Sequence, residues 1–238
     1  MGDKKRLHDT GLLILLCTCA LLLLMRIGYL FLADPERFPI KTVKISATYQ
    51  HITRKQIAEI LASYLDNSFF SLSVNRLRQD LAALNWAKQV SVERVWPDTL
   101  KIILVEKVPF AVWNNSLMTA GGELFQDNDP QLAARLPRLS GPAHQQSDVL
   151  QIYQKLSKLL ASYGLQVASL DLRDNQAWEL ILANNIQLRL GKRDLEQRVL
   201  RFCKAYKAGF AEKPEQLSSV DLRYAHGMAV QWKQQTGR

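Results

Sequence analysis

An almost unbroken apolar run from Gly11 to Leu32 constrains this chain more than any other feature. A helix rises about 1.5 Å per residue, so a run of this length matches the ~30 Å hydrocarbon core of a bilayer. Arg26 is the only charged residue in the run, and it lies near the C-terminal end, where its side chain can reach the headgroups. The run therefore predicts a transmembrane helix over residues 11–33, with Gly11, Leu22, Arg26 and Leu32 along its length.

A cleaved signal peptide is the alternative interpretation of this run. The apolar core of a signal peptide has about 7 to 15 residues, and Gly11–Met25 would suffice. The small-x-small cleavage pattern is missing, however, because Phe31 stands where a small residue belongs in the sequence Phe31-Leu32-Ala33. We therefore expect an uncleaved anchor.

The charges on either side of the run predict its orientation. Basic residues crowd the N-terminal side at Lys4, Lys5 and Arg6, whereas Asp34 and Glu36 open the other side. Because positive charge stays in the cytoplasm, residues 1–10 form a cytoplasmic leader and nearly all the remaining mass is exported.

Composition limits what the exported part can do. Residues 1–33 contribute +2 to the formal net charge of +9, and the remaining +7 is spread over the exported part without a basic block, which is typical of a solvated surface and not of a nucleic-acid site. Only Cys203 lies beyond the apolar run, on the inner face of a predicted helix, so we expect a buried, inert thiol. The four histidines lack metal-ligand spacing, and no G-x-S-x-G elbow or phosphate-binding glycine loop is present. The sequence therefore predicts no metal, cofactor, catalytic residue or small-molecule substrate.

Residues 38–108 read as strand, helix, helix, strand, strand. Thr53 is a predicted N-cap with Gln56 at the capping-box position, and Ser73 is a predicted N-cap for the second helix. A hairpin then follows around the Pro97-Asp98 turn. The pattern predicts a small α+β domain, a three-stranded sheet with two helices on one face.

Residues 109–238 predict a second α+β domain, built on a mixed or antiparallel sheet with helices. Its predicted strands are 112–118, 123–125, 167–172, 178–182, 186–190, 220–224 and 228–232, with a loop over 127–142. One predicted helix covers 149–163 and ends at Gly164; the other is capped by Asp194, has Gln197 at the capping-box position and ends at Gly209.

Short motifs distributed along the exported part are similar to those of the FtsQ/DivIB family of bacterial cell-division proteins. The most specific are Trp-Pro-Asp-Thr-Leu at 96–100 and Glu-x-x-Pro-x-Ala-x-Trp-Asn at 106–114. The others are Phe38-Pro39-Ile40, Val43-Lys44-Ile45, Asn67-Ser68-Phe69-Phe70, Leu84-Asn85-Trp86-Ala87-Lys88 and Val220-Asp221-Leu222-Arg223-Tyr224. The resemblance implies that the first exported module is a POTRA domain.

The resemblance also implies a function. Members of this family are single-pass inner-membrane scaffolds at the division septum, with a cytoplasmic N-terminus and a periplasmic bulk. The C-terminal strands would receive FtsB, of the FtsB and FtsL pair, by strand addition, the POTRA domain would recruit other division proteins, and septal peptidoglycan synthesis would thereby be controlled. Arg223, Tyr224, Gly227, Val230 and Trp232 match the partner-binding segment, whereas Ala225, His226 and Gln231 depart from it.

Alternatives remain at this point. The last strand has one neighbour guaranteed by its hairpin, so it is either an open edge or an internal strand in which Tyr224 and Trp232 belong to the core. POTRA domains also occur in outer-membrane assembly and secretion proteins, but those continue into barrels of many alternating segments, which residues 109–238 do not resemble. A membrane-anchored cell-wall hydrolase is the enzymatic alternative.

Overall fold

The computed structural model describes residues 3–127, 129–210 and 216–233. The chain divides into two compact units, Met1–Lys107 and Val108–Arg238. Within the described residues, the first unit holds a three-stranded sheet and the second a nine-stranded sheet. The predicted fold class is confirmed, an apolar N-terminal helix followed by two α+β domains.

The apolar run forms a single helix, α1 (Asp3–Leu32). Its segment Leu15–Leu32 is long and apolar enough to cross a membrane, and none of that segment is buried against the rest of the protein. Among the described residues the helix extends upstream of the apolar run to Asp3, because the leader continues the hydrogen-bonded ladder that the apolar run propagates. The helix therefore fits the anchor of a single-pass membrane protein.

The first unit follows the predicted element order. Its elements are β1 (Thr42–Ala47), α2 (Arg54–Leu65), α3 (Val74–Ala82), β2 (Ala87–Val95) and β3 (Thr99–Glu106). Strand β3 is central, parallel to β1 and antiparallel to β2. Leu100, Ile102 and Leu104 alternate along β3 and are buried, as are Ile57 of α2 and Leu77 of α3. These side chains form the core of the small domain.

Both predicted helix caps in this unit are confirmed. The Thr53 hydroxyl accepts a hydrogen bond from the Gln56 N–H at 3.3 Å, and the Gln56 side chain accepts one from the Thr53 N–H at 2.8 Å. The Ser73 hydroxyl accepts from the Arg76 N–H at 3.4 Å. Each helix start is thus fixed by local chemistry that the sequence carries.

The second unit is built on one mixed sheet. Its strands are β4 (Pro109–Trp113), β5 (Ser116–Thr119), β6 (Leu124–Phe125), β7 (Arg138–Ser140), β8 (Val167–Leu172), β9 (Trp178–Leu182), β10 (Gln187–Gly191), β11 (Leu217–Asp221) and β12 (Ala229–Trp232). The helices are α4 (Pro130–Ala134), α5 (Gln146–Ala161) and α6 (Leu195–Ala205), the last continued by a π-helical turn, Tyr206–Phe210. The strand order is β12-β11-β10-β9-β8-β7-β4-β5-β6.

Two predictions for the first half of this unit are wrong. The single strand over 112–118 is broken by a tight turn, because Asn114 takes a left-handed conformation (φ 50°), so Trp113 pairs with Ser116 in a hairpin. The predicted loop over 127–142 contains α4 and β7, and β7 lies between β4 and β8, parallel to both. With three residues and one buried side chain, Leu139, β7 is too short to produce an alternating pattern.

Two predictions about α6 are also wrong. Asp194 precedes the helix as expected, but it adopts φ 56° and its side chain makes no capping hydrogen bond, since capping requires the extended conformation. The helix does not end at Gly209, because the π-helical turn carries the chain past that residue. Cys203 is fully buried on the inner face as predicted, and burial raises the pKa of its thiol to about 11.

The core of the second unit holds the end of the sheet in place. Leu188 of β10 and Val220 of β11 are fully buried and belong to one apolar cluster with Val199 and Phe202 of α6. Strand β12 is hydrogen-bonded to β11 and is thereby attached to the part of the sheet that packs against this core. The C-terminal hairpin, predicted as 220–224 and 228–232, is therefore part of the packed sheet, but its first strand lies three residues earlier than predicted and its second begins one residue later.

Candidate partner-binding edge

Strand β12 forms one end of the large sheet. It pairs with β11 in an antiparallel register that places Ala229 opposite Asp221, Val230 opposite Val220, and Gln231 opposite Ser219. Across residues 3–127, 129–210 and 216–233, no strand lies on its outer side. A terminal strand of this kind leaves one row of backbone groups without a ladder.

The register fixes which backbone groups of β12 point outward. The Lys233 N–H is donated to the Gln216 carbonyl at 2.7 Å, so residue 233 points toward β11. Backbone groups alternate sides along a strand, so those of Gln231 also point toward β11, whereas those of Val230 and Trp232 point away. The outer edge thus presents two N–H donors and two C=O acceptors at these positions.

The side chains of these two residues differ in role. Val230 is half-buried and packs against the apolar cluster of the sheet, which holds the strand down. Trp232 is 47% exposed, and its ring meets that of Phe210 edge-on at 5.8 Å between centroids. Aromatic pairs prefer this geometry, so the exposed indole is held in a defined position beside the open edge.

Arg201 of α6 fixes the segment that leads into the hairpin turn. Its guanidinium donates to the carbonyls of Ala225 at 2.8 Å, Tyr224 at 2.9 Å and Leu222 at 3.3 Å. Tyr224 is 57% exposed, so its side chain extends into solvent from a backbone that Arg201 holds. No sequence pattern singled out Arg201, since a basic residue on a helix is normally assigned to the solvated face.

The positive charge of Arg223 is balanced by the carboxylate of Asp221, two residues earlier in the chain. Its Nε lies 2.9 and 3.0 Å from the two carboxylate oxygens of Asp221. Hydrogen bonding to Arg223 lowers the pKa of Asp221, and the same contact raises the pKa of Arg223. The neighbouring β10 makes room with Gly191 (φ 76°), where a Cβ would come 3.2 Å from the Arg223 Cγ and 2.6 Å from the Arg198 Nη1.

The predicted site residues therefore fall into distinct environments. Val230 and Trp232 lie on β12, while Arg223 and Tyr224 lie just after β11. Gly227 sits in the exposed turn between the strands, where an added Cβ would meet nothing within 4 Å. Steric crowding gives no reason for glycine at that position.

Replacing Arg201 by alanine tests the role assigned to this residue. Loss of three charge-assisted hydrogen bonds is expected to lower the free energy of unfolding by about 2 kcal/mol and to loosen the backbone at Tyr224. Urea unfolding of the full chain, followed by amide exchange at residues 222–225, measures both effects. Lys204→Ala on the same helix is the control, and an Arg201→Ala variant as stable and as protected as Lys204→Ala would contradict the assignment.

An apolar helix that fits the anchor of a single-pass membrane protein precedes a small α+β module of the POTRA class and a domain built on a mixed sheet. Residues 38–107 match the family model of the FtsQ-type POTRA domain. Residues 111–223 match the model of the C-terminal region of the cell division protein FtsQ/DivIB. The second match ends at Arg223, so β12 lies beyond it.

Full-length relatives agree with these matches. The chain is 34% identical to the cell division protein FtsQ of Coxiella burnetii, over 87% of this chain and 85% of the relative. It is 37% identical to FtsQ of Shewanella oneidensis, over 86% of this chain and 79% of the relative. It is 34% identical to FtsQ of Aliivibrio fischeri, over 97% of this chain and 91% of the relative. The chain belongs to the FtsQ/DivIB family of cell division proteins, which are division scaffolds.

Proposed function

We propose that this protein is a non-enzymatic scaffold that captures FtsB, of the FtsB and FtsL pair, by strand addition to the outer edge of β12. The open edge carries the proposal, because its outward N–H and C=O groups at Val230 and Trp232 are arranged to continue the ladder. Membership in a family of division proteins supports a partner from the same machinery.

The anchor gives this capture a location. α1 spans the inner membrane with the basic leader in the cytoplasm, since Lys4, Lys5 and Arg6 precede the apolar run and acidic residues follow it. The two exported modules then lie in the periplasm at the septum. There the protein recruits FtsB and FtsL to the division site and helps control septal peptidoglycan synthesis. The POTRA module recruits other division proteins.

Strand addition supplies affinity through the backbone and specificity through side chains beside the edge. Tyr224 and Trp232 flank β12 and are both more than 45% exposed, at 57% and 47%. Exposed aromatic side chains held in fixed positions are typical of binding hot spots. A partner strand paired with β12 would cover both rings, which explains their exposure on a well-packed domain.

Single exchanges of Tyr224 or Trp232 to alanine test this site. Each is expected to weaken FtsB binding by about 2 kcal/mol, roughly 30-fold, because a hot-spot ring is lost. Tyr224→Ala is expected to leave the free energy of unfolding within about 0.5 kcal/mol, since the ring is exposed. Calorimetric titration of the full chain with the periplasmic part of FtsB measures the affinity.

Leu124→Ala is the matched control for these exchanges. Leu124 is 39% exposed on β6, at the opposite end of the same sheet, so its loss should leave FtsB affinity unchanged. FtsB binding that survives both aromatic exchanges at the wild-type level would exclude the β12 edge as the capture site.

A further inference from the structure

One end of the POTRA module is tied directly to the end of the membrane helix. The Ser68 hydroxyl is buried and donates to the Leu32 carbonyl at 2.7 Å, at the last residue of α1. The Phe69 N–H donates to the Phe38 carbonyl at 2.8 Å. These two bonds join the loop between α2 and α3 to the segment where the chain leaves α1.

Aromatic rings surround this junction. The rings of Phe31 and Phe38 meet edge-on at 5.8 Å, and those of Phe38 and Phe70 at 5.1 Å. Phe70 remains 40% exposed. Phenylalanine lacks the polar group of the Trp and Tyr rings that are enriched at the bilayer interface, so these three rings supply the apolar packing of the junction.

The tip of the β2–β3 hairpin lies at the same end of the module. The Asp98 carbonyl accepts from the Lys41 N–H at 3.0 Å, and the Arg94 guanidinium donates to the carbonyls of Phe70 and Leu72. Trp96 at this tip is 78% exposed, more than any other large apolar side chain within residues 15–127, 129–210 and 216–233. The domain core does not use this indole.

We propose that this end of the POTRA module, with Trp96 and Phe70 as its apolar contacts, rests on the lipid headgroup interface beside α1. The proposal goes beyond partner capture and requires only that α1 spans a membrane. An indole has an apolar body and a polar N–H, so it gains most where hydrocarbon meets headgroups. The surface is thus a lipid contact rather than a second protein site.

The charges around the tip fit headgroups better than an apolar protein surface. Lys41 and Arg37 have side chains that are 67% and 56% exposed, close to where the chain leaves α1. Lys41 pairs with Asp98 at 3.7 Å, and Arg37 pairs with Asp34 at 3.0 Å while its guanidinium lies 4.6 Å from the centroid of the Phe31 ring. Long cationic side chains in this position reach lipid phosphates while their stems lie on apolar surface.

Quenching of tryptophan fluorescence by brominated lipids tests the contact. The full chain is reconstituted into phosphatidylcholine vesicles whose acyl chains carry bromine just below the headgroups, and Trp96→Phe is compared with the wild type. We expect brominated lipid to lower the tryptophan fluorescence of the wild type much more than that of Trp96→Phe. Trp178→Phe, which removes a buried indole of the second unit, should show the same decrease in fluorescence with brominated lipid as the wild type.

A reporter inside the span separates this proposal from the anchor itself. Leu22→Trp in the Trp96→Phe background places an indole about 15 Å from the end of α1, where bromine near the chain ends should quench it. A quenched Leu22→Trp reporter together with unquenched Trp96 would overturn the lipid contact and leave the tip free for a protein. If the Leu22→Trp reporter also escaped quenching, the span would be wrong and the lipid contact would fall with it.

Discussion

Replacing Val230 by proline is expected to abolish most FtsB binding while the β11–β12 hairpin stays paired. The N–H of residue 230 points away from β11, so proline removes an outward donor and no bond of the existing ladder. The partner strand would then leave a carbonyl unsatisfied and meet the ring. Leaving one buried acceptor unpaired costs about 1–3 kcal/mol, so affinity should fall about tenfold to a hundredfold.

Two variants isolate the backbone effect. Val230→Ala loses the same packing against the core but keeps the donor, so its affinity should stay near that of the wild type. Gln231→Pro removes a donor that points toward β11, and it should destabilise the hairpin itself. Calorimetric titration with FtsB and urea unfolding distinguish the three. Equal affinities for Val230→Pro and Val230→Ala would contradict strand addition at this edge.

Removing the Glu106 side chain is expected to destabilise the POTRA module more than any exchange on its surface. This carboxylate is 6% exposed and accepts hydrogen bonds from the N–H groups of Gln50 at 3.1 Å, His51 at 3.0 Å and Ile52 at 3.2 Å. It thus fixes the turn that leads into α2. Glu106→Ala would leave these donors without their acceptor, and we expect a loss of about 3 kcal/mol or more in the free energy of unfolding.

Controls for Glu106→Ala exist in the same sheet. Glu106→Gln keeps one carbonyl acceptor and should lose less than half as much stability. Glu93→Ala, on the exposed part of β2, should change the free energy of unfolding by no more than about 0.5 kcal/mol. Urea unfolding followed by tryptophan emission includes a signal from this region, because the Trp86 ring stacks on His51 with 3.6 Å between the ring centroids. Glu106→Ala as stable as Glu93→Ala would refute the role of the carboxylate.

The elements that sequence reasoning found are those whose signals are local. Thr53 and Gln56 form a capping box within one turn, and the alternating residues of β8 to β10 predict their own strands. The wrong predictions at Asn114 and Asp194 arose because each residue adopts a left-handed backbone conformation that its sequence neighbours do not signal, whereas the missed strand β7 depends on a distant interaction. Strand β7 exists because β4 and β8 lie on either side of it, and a three-residue segment carries no periodicity of its own.

The same distinction applies to the candidate site. The open edge of β12 was one of two possibilities in the sequence, since a terminal hairpin does not reveal its outer neighbour. Arg201 was missed because its three carbonyl partners lie more than twenty residues away along the chain. Glu106 could be identified from the sequence only as the first residue of the motif at 106–114. Its hydrogen-bond partners at residues 50–52 are more than fifty residues away along the chain and come close to it only in the folded domain.

Amide hydrogen exchange at β12, resolved by residue, tests the central claim most directly. Strand addition predicts that FtsB protects the N–H groups of Val230 and Trp232, which point outward, and changes Gln231 little because β11 already protects it. Full occupancy by FtsB with Val230 and Trp232 exchanging as fast as in the free protein would contradict capture at this edge.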